Sequence, residues 1–277
     1  MQVFSEIVDI RQARWKEPST RWGLVPTMGF LHEGHLNLVR RARNENNKVG
    51  VSIFVNPLQF NETKDLDNYP RNLQRDLSLL EQEGVDLVWT PTPEQVYPEN
   101  FQTYIMVEKI SQPLEGSARP GHFRGVTTVV AKLFNIFQPH SAYFGQKDAQ
   151  QVAVIKQMAD DLNFNLEIII CPTVREADGL AMSSRNARLS PQGREDATWL
   201  YRSLTNARVA FEQGIRDAQK LKGIILKTLQ EKNIRVDYVS VANPVTLQEL
   251  EIVRQQALIS MVAYIEEVRL IDNMIIG

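Results

Sequence analysis

Between residue 20 and about residue 171 short β-rich apolar runs alternate with segments whose apolar residues recur at helical spacing. No other feature constrains the fold as much. Trp22-Gly23-Leu24-Val25 reads as a short buried strand, and Leu36, Leu38, Val39 and Ala42 then recur on one helical face. Residues 49–55 form a second strand that stops at Asn56-Pro57. Residues 72–83 predict a helix with Leu73, Leu77 and Leu80 on one stripe, closed by Gly84, and residues 85–89 the next strand. A helix over 126–137, a strand over 141–144, a helix over 149–162 and a strand over 166–171 complete the series. Strands alternating with helices of this length predict right-handed crossover units on a parallel sheet. Ligands of such sheets gather beyond the carboxyl ends of the strands. There the loops at His32 and His35, at Asn56 and at Gly145 would emerge.

After Pro172 the pattern changes. A polar loop, 175–190, leads into helices over 191–214 and 217–231, then apolar stretches at 236–241, 259–265 and 268–271. This predicts two domains: an α/β parallel-sheet domain over 1–172 and a smaller α+β domain over 173–277.

The most informative chemistry lies in Val25-Pro-Thr-Met-Gly-Phe-Leu-His-Glu-Gly-His-Leu36. His32 and His35 fall at the start of the helix and, three residues apart, share one of its faces. The free N–H groups and positive dipole end there make a seat for an anion, and Gly34 lets a flat ring approach the backbone. The arrangement suits a nucleotide whose α-phosphate needs donors as it is attacked. A zinc site is the rival reading. The metalloprotease pattern needs His at i and i+4 with a Glu between, whereas the spacing here is i, i+3. Strand, glycines and helix start together favour the nucleotide.

Other positions leave alternatives open. Phe144-Gly-Gln-Lys-Asp148 follows a predicted strand: Gly145 permits a tight turn, Asp148 suits a helix N-cap, and Lys147 would point at a phosphate or remain a solvated loop lysine. No P-loop and no G-x-G-x-x-G fingerprint is present, so phosphates must be held by other means. Met182-Ser-Ser-Arg185 offers two hydroxyls and a planar guanidinium for β- and γ-phosphates, or is an ordinary serine-rich loop. Gln59, in Asn56-Pro-Leu-Gln-Phe60, and Gln151 present donor and acceptor together, suited to a hydroxy acid, or are surface amides. Arg119-Pro-Gly-His-Phe-Arg124 reads equally as a flexible basic loop, Asp76 as an exposed helix acid, and His140 offers nothing specific.

The net charge of −2 argues against nucleic acid or an anionic membrane surface as partner. The single cysteine, Cys171, excludes an internal disulfide and fits a reducing, cytoplasmic setting as a small buried hydrophobe. The first seven residues lack the basic and apolar regions of a signal peptide, and no apolar stretch has the length of a membrane span.

Seven ordered segments resemble the pantothenate synthetase family of pantoate–β-alanine ligases across nearly the whole chain: VPTMGFLHEGH, VSIFVNPLQF, DLDNYPR, GHFRGVTTVVAKL, AYFGQKD, TVREADGLAMSSRN and VRLIDN. The HEGH signature by itself is shared by many nucleotidyltransferases. The resemblance implies a Rossmann-like N-terminal domain, a C-terminal lid domain and a homodimer. It implies ATP binding by Met28, Gly29, Phe30, Leu31, His32, Glu33, Gly34 and His35, by Gly145, Gln146, Lys147 and Asp148, by Val174, and by Met182, Ser183, Ser184 and Arg185. Pantoate is implied at Gln59 and Gln151, with β-alanine also near Gln59, and His35 as proton donor. His32, Lys147 and Arg185 join His35 as the expected catalytic set. Mg²⁺ is implied with ATP. Asp76 is its candidate ligand, although the acidic residue often found just before that position is Arg75 here. The implied reaction runs through pantoyl adenylate to pantothenate, AMP and pyrophosphate. A cytidylyltransferase-like enzyme of the same fold and a non-catalytic nucleotide-binding module are the alternatives.

Overall fold

The computed structural model describes residues 1–277. In chain order the elements are β1 Gln2–Phe4, α1 Ile7–Trp15, β2 Trp22–Thr27, α2 Glu33–Glu45, β3 Lys48–Ile53, α3 Thr63–Asp67, α4 Leu73–Gln82 and β4 Leu87–Trp89. There follow α5 Pro93–Val96, α6 Glu115–Ala118, α7 His122–Phe137, β5 Ser141–Gly145, α8 Ala149–Asp161 and β6 Glu167–Cys171. The chain closes with α9 Pro191–Glu212, α10 Ala218–Gln230, β7 Arg235–Ala242, β8 Ala257–Ile265 and β9 Val268–Ile276. Two compact units result: Met1–Gly145 with Gln150–Pro172, and Gln146–Ala149 with Thr173–Gly277.

The first unit is built on a six-stranded sheet in the order β1-β4-β3-β2-β5-β6, every pair parallel. Its strands are nearly continuous apolar runs because both faces are covered. Leu24, Leu87, Trp89, Ala142 and Phe144 join one core with α7, while Val25, Val88 and Tyr143 point into the other with α2. The strand order fixes where a ligand can sit. From β2 the chain builds outward through β3 to β4, then crosses back to place β5 on the other flank of β2. The crevice beyond the ends of β2 and β5 is therefore the switch point, where sheets of this kind bind their ligands.

The second unit is α+β: α9 and α10 pack on an antiparallel sheet in the order β7-β8-β9. α9 starts under a capping Ser190 with Pro191 in its first turn, and α10 under Asp217.

Several local expectations need correction. β1 and α1 lie outside the expected series: a three-residue edge strand and a helix that buries only Ile10 and Arg14. α7 begins at His122 rather than 126, with Gly121 in the left-handed region (φ 85°) ahead of it. The stripe on α4 is not three leucines, since its buried residues are Asp76 and Leu80 while Leu73 is exposed. β9 does not stop at Ile271 but continues through a buried Asp272 and Asn273 to Ile276. No helix is long and apolar enough to cross a membrane.

Candidate active site

The loop leaving β2 is held from several directions. Thr27 Oγ1 donates to the Ser52 carbonyl (2.7 Å) and accepts from Gly29 N (3.2 Å), tying the loop to the neighbouring strand. Gly29 and Phe30 are both left-handed, at φ 81° and 50°. The first favours glycine, because a Cβ there would be strained by the left-handed backbone and would also stand 3.0 Å from Ile53 Cγ2 and 3.1 Å from Asp76 Oδ2. The second is strained and needs external support. Asp76, in the first turn of α4, supplies it: Oδ2 accepts from Phe30 N at 2.7 Å and Oδ1 from Leu31 N at 2.8 Å. Arg75 donates to the Leu31 carbonyl at 2.9 Å and lies 5.6 Å from the Phe30 ring centroid.

Asp76 is thus no exposed helix acid but the brace of this loop. It is 1% exposed, and each oxygen already serves a backbone N–H. No group of three or more His, Cys, Asp or Glu gathers anywhere in a geometry that would hold a metal ion. The zinc alternative for His32 and His35 therefore lacks a third ligand.

From this anchored loop α2 begins, and its two histidines cap it reciprocally. His32 Nδ1 accepts from Gly34 N (3.1 Å), and His35 Nδ1 accepts from His32 N (3.3 Å). The imidazoles lie 4.0 Å apart, tilted by 31°. An Nδ1 that accepts carries no proton in the neutral ring, which places the hydrogen on Nε2 of both. Two Nε2–H donors at the positive end of a helix are suited to charge that builds on a phosphate oxygen. The adjacent Glu33 pairs with Arg40.

Gln59 is positioned with similar care. Asn56, 1% exposed, donates to Gln59 Oε1 and to the Gly125 carbonyl, each at 3.1 Å, and accepts from the Tyr97 hydroxyl at 2.8 Å. Burial pushes the Tyr97 phenol up, so it stays a donor. Gln59 Nε2 reaches Met28 Sδ at 2.9 Å, which links this amide to the β2 loop. The Gln59 carbonyl accepts from Arg119 (2.9 Å) and from His122 Nδ1 (2.8 Å). The basic stretch from Arg119 to Arg124 is therefore no flexible loop: it opens α7 and grips the Gln59 turn. Gln151 is half-buried on the first turn of α8. Its neighbour Gln150 is engaged elsewhere, accepting from Glu115 N (2.9 Å) and donating to the Ile110 (3.0 Å) and Pro113 (2.7 Å) carbonyls. A cavity of about 410 Å³ adjoins Met28, Gly29 and Phe30 and is lined also by Phe54, Pro57 and Leu73. Neither histidine and neither glutamine lines it.

The second unit holds the remaining expected residues except Gly145, which ends β5 in the first unit. Gln146–Asp148 forms a 3-10 turn that runs straight into α8, so Asp148 lies within the helical run, 3.8 Å from Lys147 Nζ, rather than capping it. Gly145, at the end of β5, has no positive φ, and the 3-10 turn begins at the next residue. Met182 N donates to the Val174 carbonyl (3.0 Å), so those two residues meet across the folded-back loop between them. Ser183 caps a 3-10 turn, Ser184–Arg188, by accepting from Arg185 N at 3.3 Å.

A histidine pair capping a helix beyond the carboxyl ends of a parallel sheet, with no P-loop, defines an α/β nucleotide-handling enzyme. Over residues 2–275 the sequence matches the family described as pantoate-beta-alanine ligase, and the chain belongs to that family. It is 53% identical to the pantothenate synthetase of Herpetosiphon aurantiacus over 279 residues, covering 99% of this chain and 100% of that one. A crystal structure of pantothenate synthetase from Thermus thermophilus superposes with a TM-score of 0.95 at 45% identity, covering 99% of both chains. That of pantoate-beta-alanine ligase from Francisella tularensis, complexed with beta-gamma ATP and beta-alanine, gives a TM-score of 0.83 at 37% identity, over 99% of this chain and 97% of that one.

Proposed function

We propose that the chain condenses pantoate and β-alanine to pantothenate at the expense of ATP, in two steps. A pantoate carboxylate oxygen attacks the α-phosphorus, the bond to the β-phosphate breaks, and pyrophosphate leaves pantoyl adenylate behind. The amine of β-alanine then attacks the acyl carbon, AMP departs, and the amine gives up its proton. The observation that carries this reading is the reciprocal capping of His32 and His35, which presents both Nε2–H groups at the α2 N-terminus. Adenylation asks a protein mainly for positioning and charge stabilisation. His35 serves as donor to the α-phosphate with His32 beside it. Lys147, Ser183, Ser184 and Arg185 meet the other phosphates. Residues 28–35 and 145–148, with Val174 and Met182, hold the nucleotide. Gln59 and Gln151 take the hydroxyl and carboxylate groups of pantoate, and Gln59 also borders β-alanine.

Magnesium enters this reading with the nucleotide. The chain offers it no cage of three or more His, Cys, Asp or Glu side chains, and the Asp76 carboxylate also serves the Phe30 and Leu31 N–H groups. An ion that keeps its waters and leans on phosphate oxygens needs none. We assign no protein ligand to it. A homodimer in the cytosol completes the reading on family grounds, and a monomer mass by light scattering at micromolar concentration would contradict it.

The test is a product analysis. With ATP and pantoate the purified chain should form an adenylate and pyrophosphate, and with β-alanine added it should release AMP and the amide. A cytidylyltransferase-like enzyme stops before the amide, and a non-catalytic module forms neither product. His35→Ala should slow adenylation by about 10²–10³-fold, the usual effect of losing one transition-state donor. Its ATP affinity should change far less. Full activity in that variant removes His35 from the role.

A further inference from the structure

The last motif of the chain, Val268-Arg-Leu-Ile-Asp-Asn273, has so far no task, and its final two residues interrupt an apolar strand with buried polar groups. Asp272 is 2% and Asn273 5% exposed. Asp272 receives the Arg175 guanidinium in a two-pronged contact, Nη1 to Oδ2 at 2.7 Å and Nη2 to Oδ1 at 2.9 Å. The same guanidinium donates to the Gly179 carbonyl (3.1 Å) and lies 4.0 Å from the Tyr201 ring centroid, so it braces the inside of the loop that runs from Val174 to Met182. Asn273 reaches the other segment. Its Nδ2 donates to the Gln146 (3.0 Å) and Lys147 (2.7 Å) carbonyls, and its Oδ1 accepts from Gln146 Nε2 at 3.3 Å. Asn273 N donates to Asp272 Oδ1 at 2.8 Å, which locks the two side chains to each other.

We propose that Asp272 and Asn273 are the positioning pair for phosphate handling. One rigid dipeptide on β9 sets both the peptide that carries Lys147 and the loop that leads to Met182–Arg185. This inference rests on the reading of Lys147 and Arg185 given above. Its physical basis is that a buried ion pair adds little net stability over apolar residues of the same size, while the two-pronged Arg175 contact and the two Asn273 donor bonds set the direction of each partner. Apart from the bond between the pair and the ladder bonds of β9, the partners of these side chains lie in those two loops. A site supported by packed hydrogen-bonded neighbours on a strand is held more tightly than one left to its loops.

The experiment compares Asn273→Ala, Lys147→Ala and the double variant by pantoate-dependent exchange of labelled pyrophosphate into ATP. Asn273→Ala should lower kcat by about 10–10²-fold, the cost of a misplacement near 1 Å, and leave the pantoate KM unchanged. In the Lys147→Ala background the same substitution should cost less than about threefold, because residues that act as a unit are not additive. Equal factors in both backgrounds overturn the proposal, since Asn273 would then not act through Lys147. Asn273→Asp keeps the acceptor for Gln146 and loses both donors, so it should repeat the result, and it carries the test if the alanine variant does not fold. Failure of both to fold also overturns the proposal, because the pair would then hold the fold rather than the loops. Absence of exchange in the unaltered chain defeats the functional reading itself, before any variant is compared.

Discussion

Adding one methyl group at Gly125 should disturb the Gln59 turn more than any change at its surface. Gly125 lies in the first turn of α7, against the Pro57–Gln59 turn. A Cβ there would stand 2.3 Å from the Leu58 carbonyl oxygen, 2.5 Å from its carbon and 2.8 Å from Gln59 N. A carbon normally approaches a carbonyl oxygen no closer than about 3.3 Å, so helix or turn must move by roughly 1 Å. All three obstacles are backbone atoms, and no side chain can swing aside. The move also loads the Asn56 bond to the Gly125 carbonyl and the Arg119 and His122 bonds to the Gln59 carbonyl. Overpacking of this kind costs about 1–3 kcal/mol, which at about 2–4 °C per kcal/mol lowers Tm by roughly 2–12 °C. If Gln59 binds pantoate, a shift of that size should also lower kcat/KM for pantoate by about 10–10²-fold. The ATP KM should move less than about threefold. Thermal melting and steady-state rates with each substrate varied in turn read both effects. A Gly125→Ala protein with unaltered Tm and unaltered pantoate kinetics would refute the reasoning.

Three further outcomes follow from the same geometry. Asp76→Asn leaves one of the Phe30 and Leu31 N–H groups without an acceptor, costing about 1–3 kcal/mol and slowing adenylation; recovery at high Mg²⁺ would instead restore Asp76 as a metal ligand. Gln59→Leu and Gln151→Leu should each raise the pantoate KM by about tenfold with little effect on ATP, and equal losses for the two substrates would make these residues structural. His140 accepts from Trp22 N at 3.1 Å, and its pKa is lowered from 6.5 by burial and by the Arg14 and Arg21 charges. The unfolded chain therefore binds the extra proton first, and this contribution to stability is full above pH 6.5 and lost as pH falls through that value toward the folded pKa. His140→Asn, which keeps an acceptor, should flatten the fall of Tm between about pH 7 and 5; parallel melting curves for the two proteins would contradict it.

The parallel sheet was legible because periodicity is a local signal, carried by runs such as Trp22–Thr27 and Ser141–Gly145. The histidine pair was legible for the same reason, since strand, glycines and helix start are consecutive. What escaped was set by partners far away in the chain. Asp76 looks like any polar residue on a helix until Phe30 and Leu31, some 45 positions earlier, turn their N–H groups toward it. His122 sits after Pro120-Gly121, which read as a loop, yet its ring is drawn inward by the Gln59 carbonyl. Asp272 and Asn273 ended the predicted strand because two polar residues in an apolar run mark an end, unless distant loops satisfy them. β1 and α1 gave no signal, being short and weakly amphipathic.

The central claim, attack of a pantoate carboxylate at the α-phosphorus, is tested most directly by following oxygen. Pantoate labelled with heavy oxygen in its carboxylate is turned over with ATP and β-alanine, and the released nucleotide and phosphates are weighed. Attack at the α-phosphorus makes the carboxylate oxygen the bridge of the adenylate, so one label should leave in AMP and none in pyrophosphate. Label in inorganic phosphate together with ADP as the product would mean an acyl phosphate and attack at the γ-phosphorus, and would contradict the account.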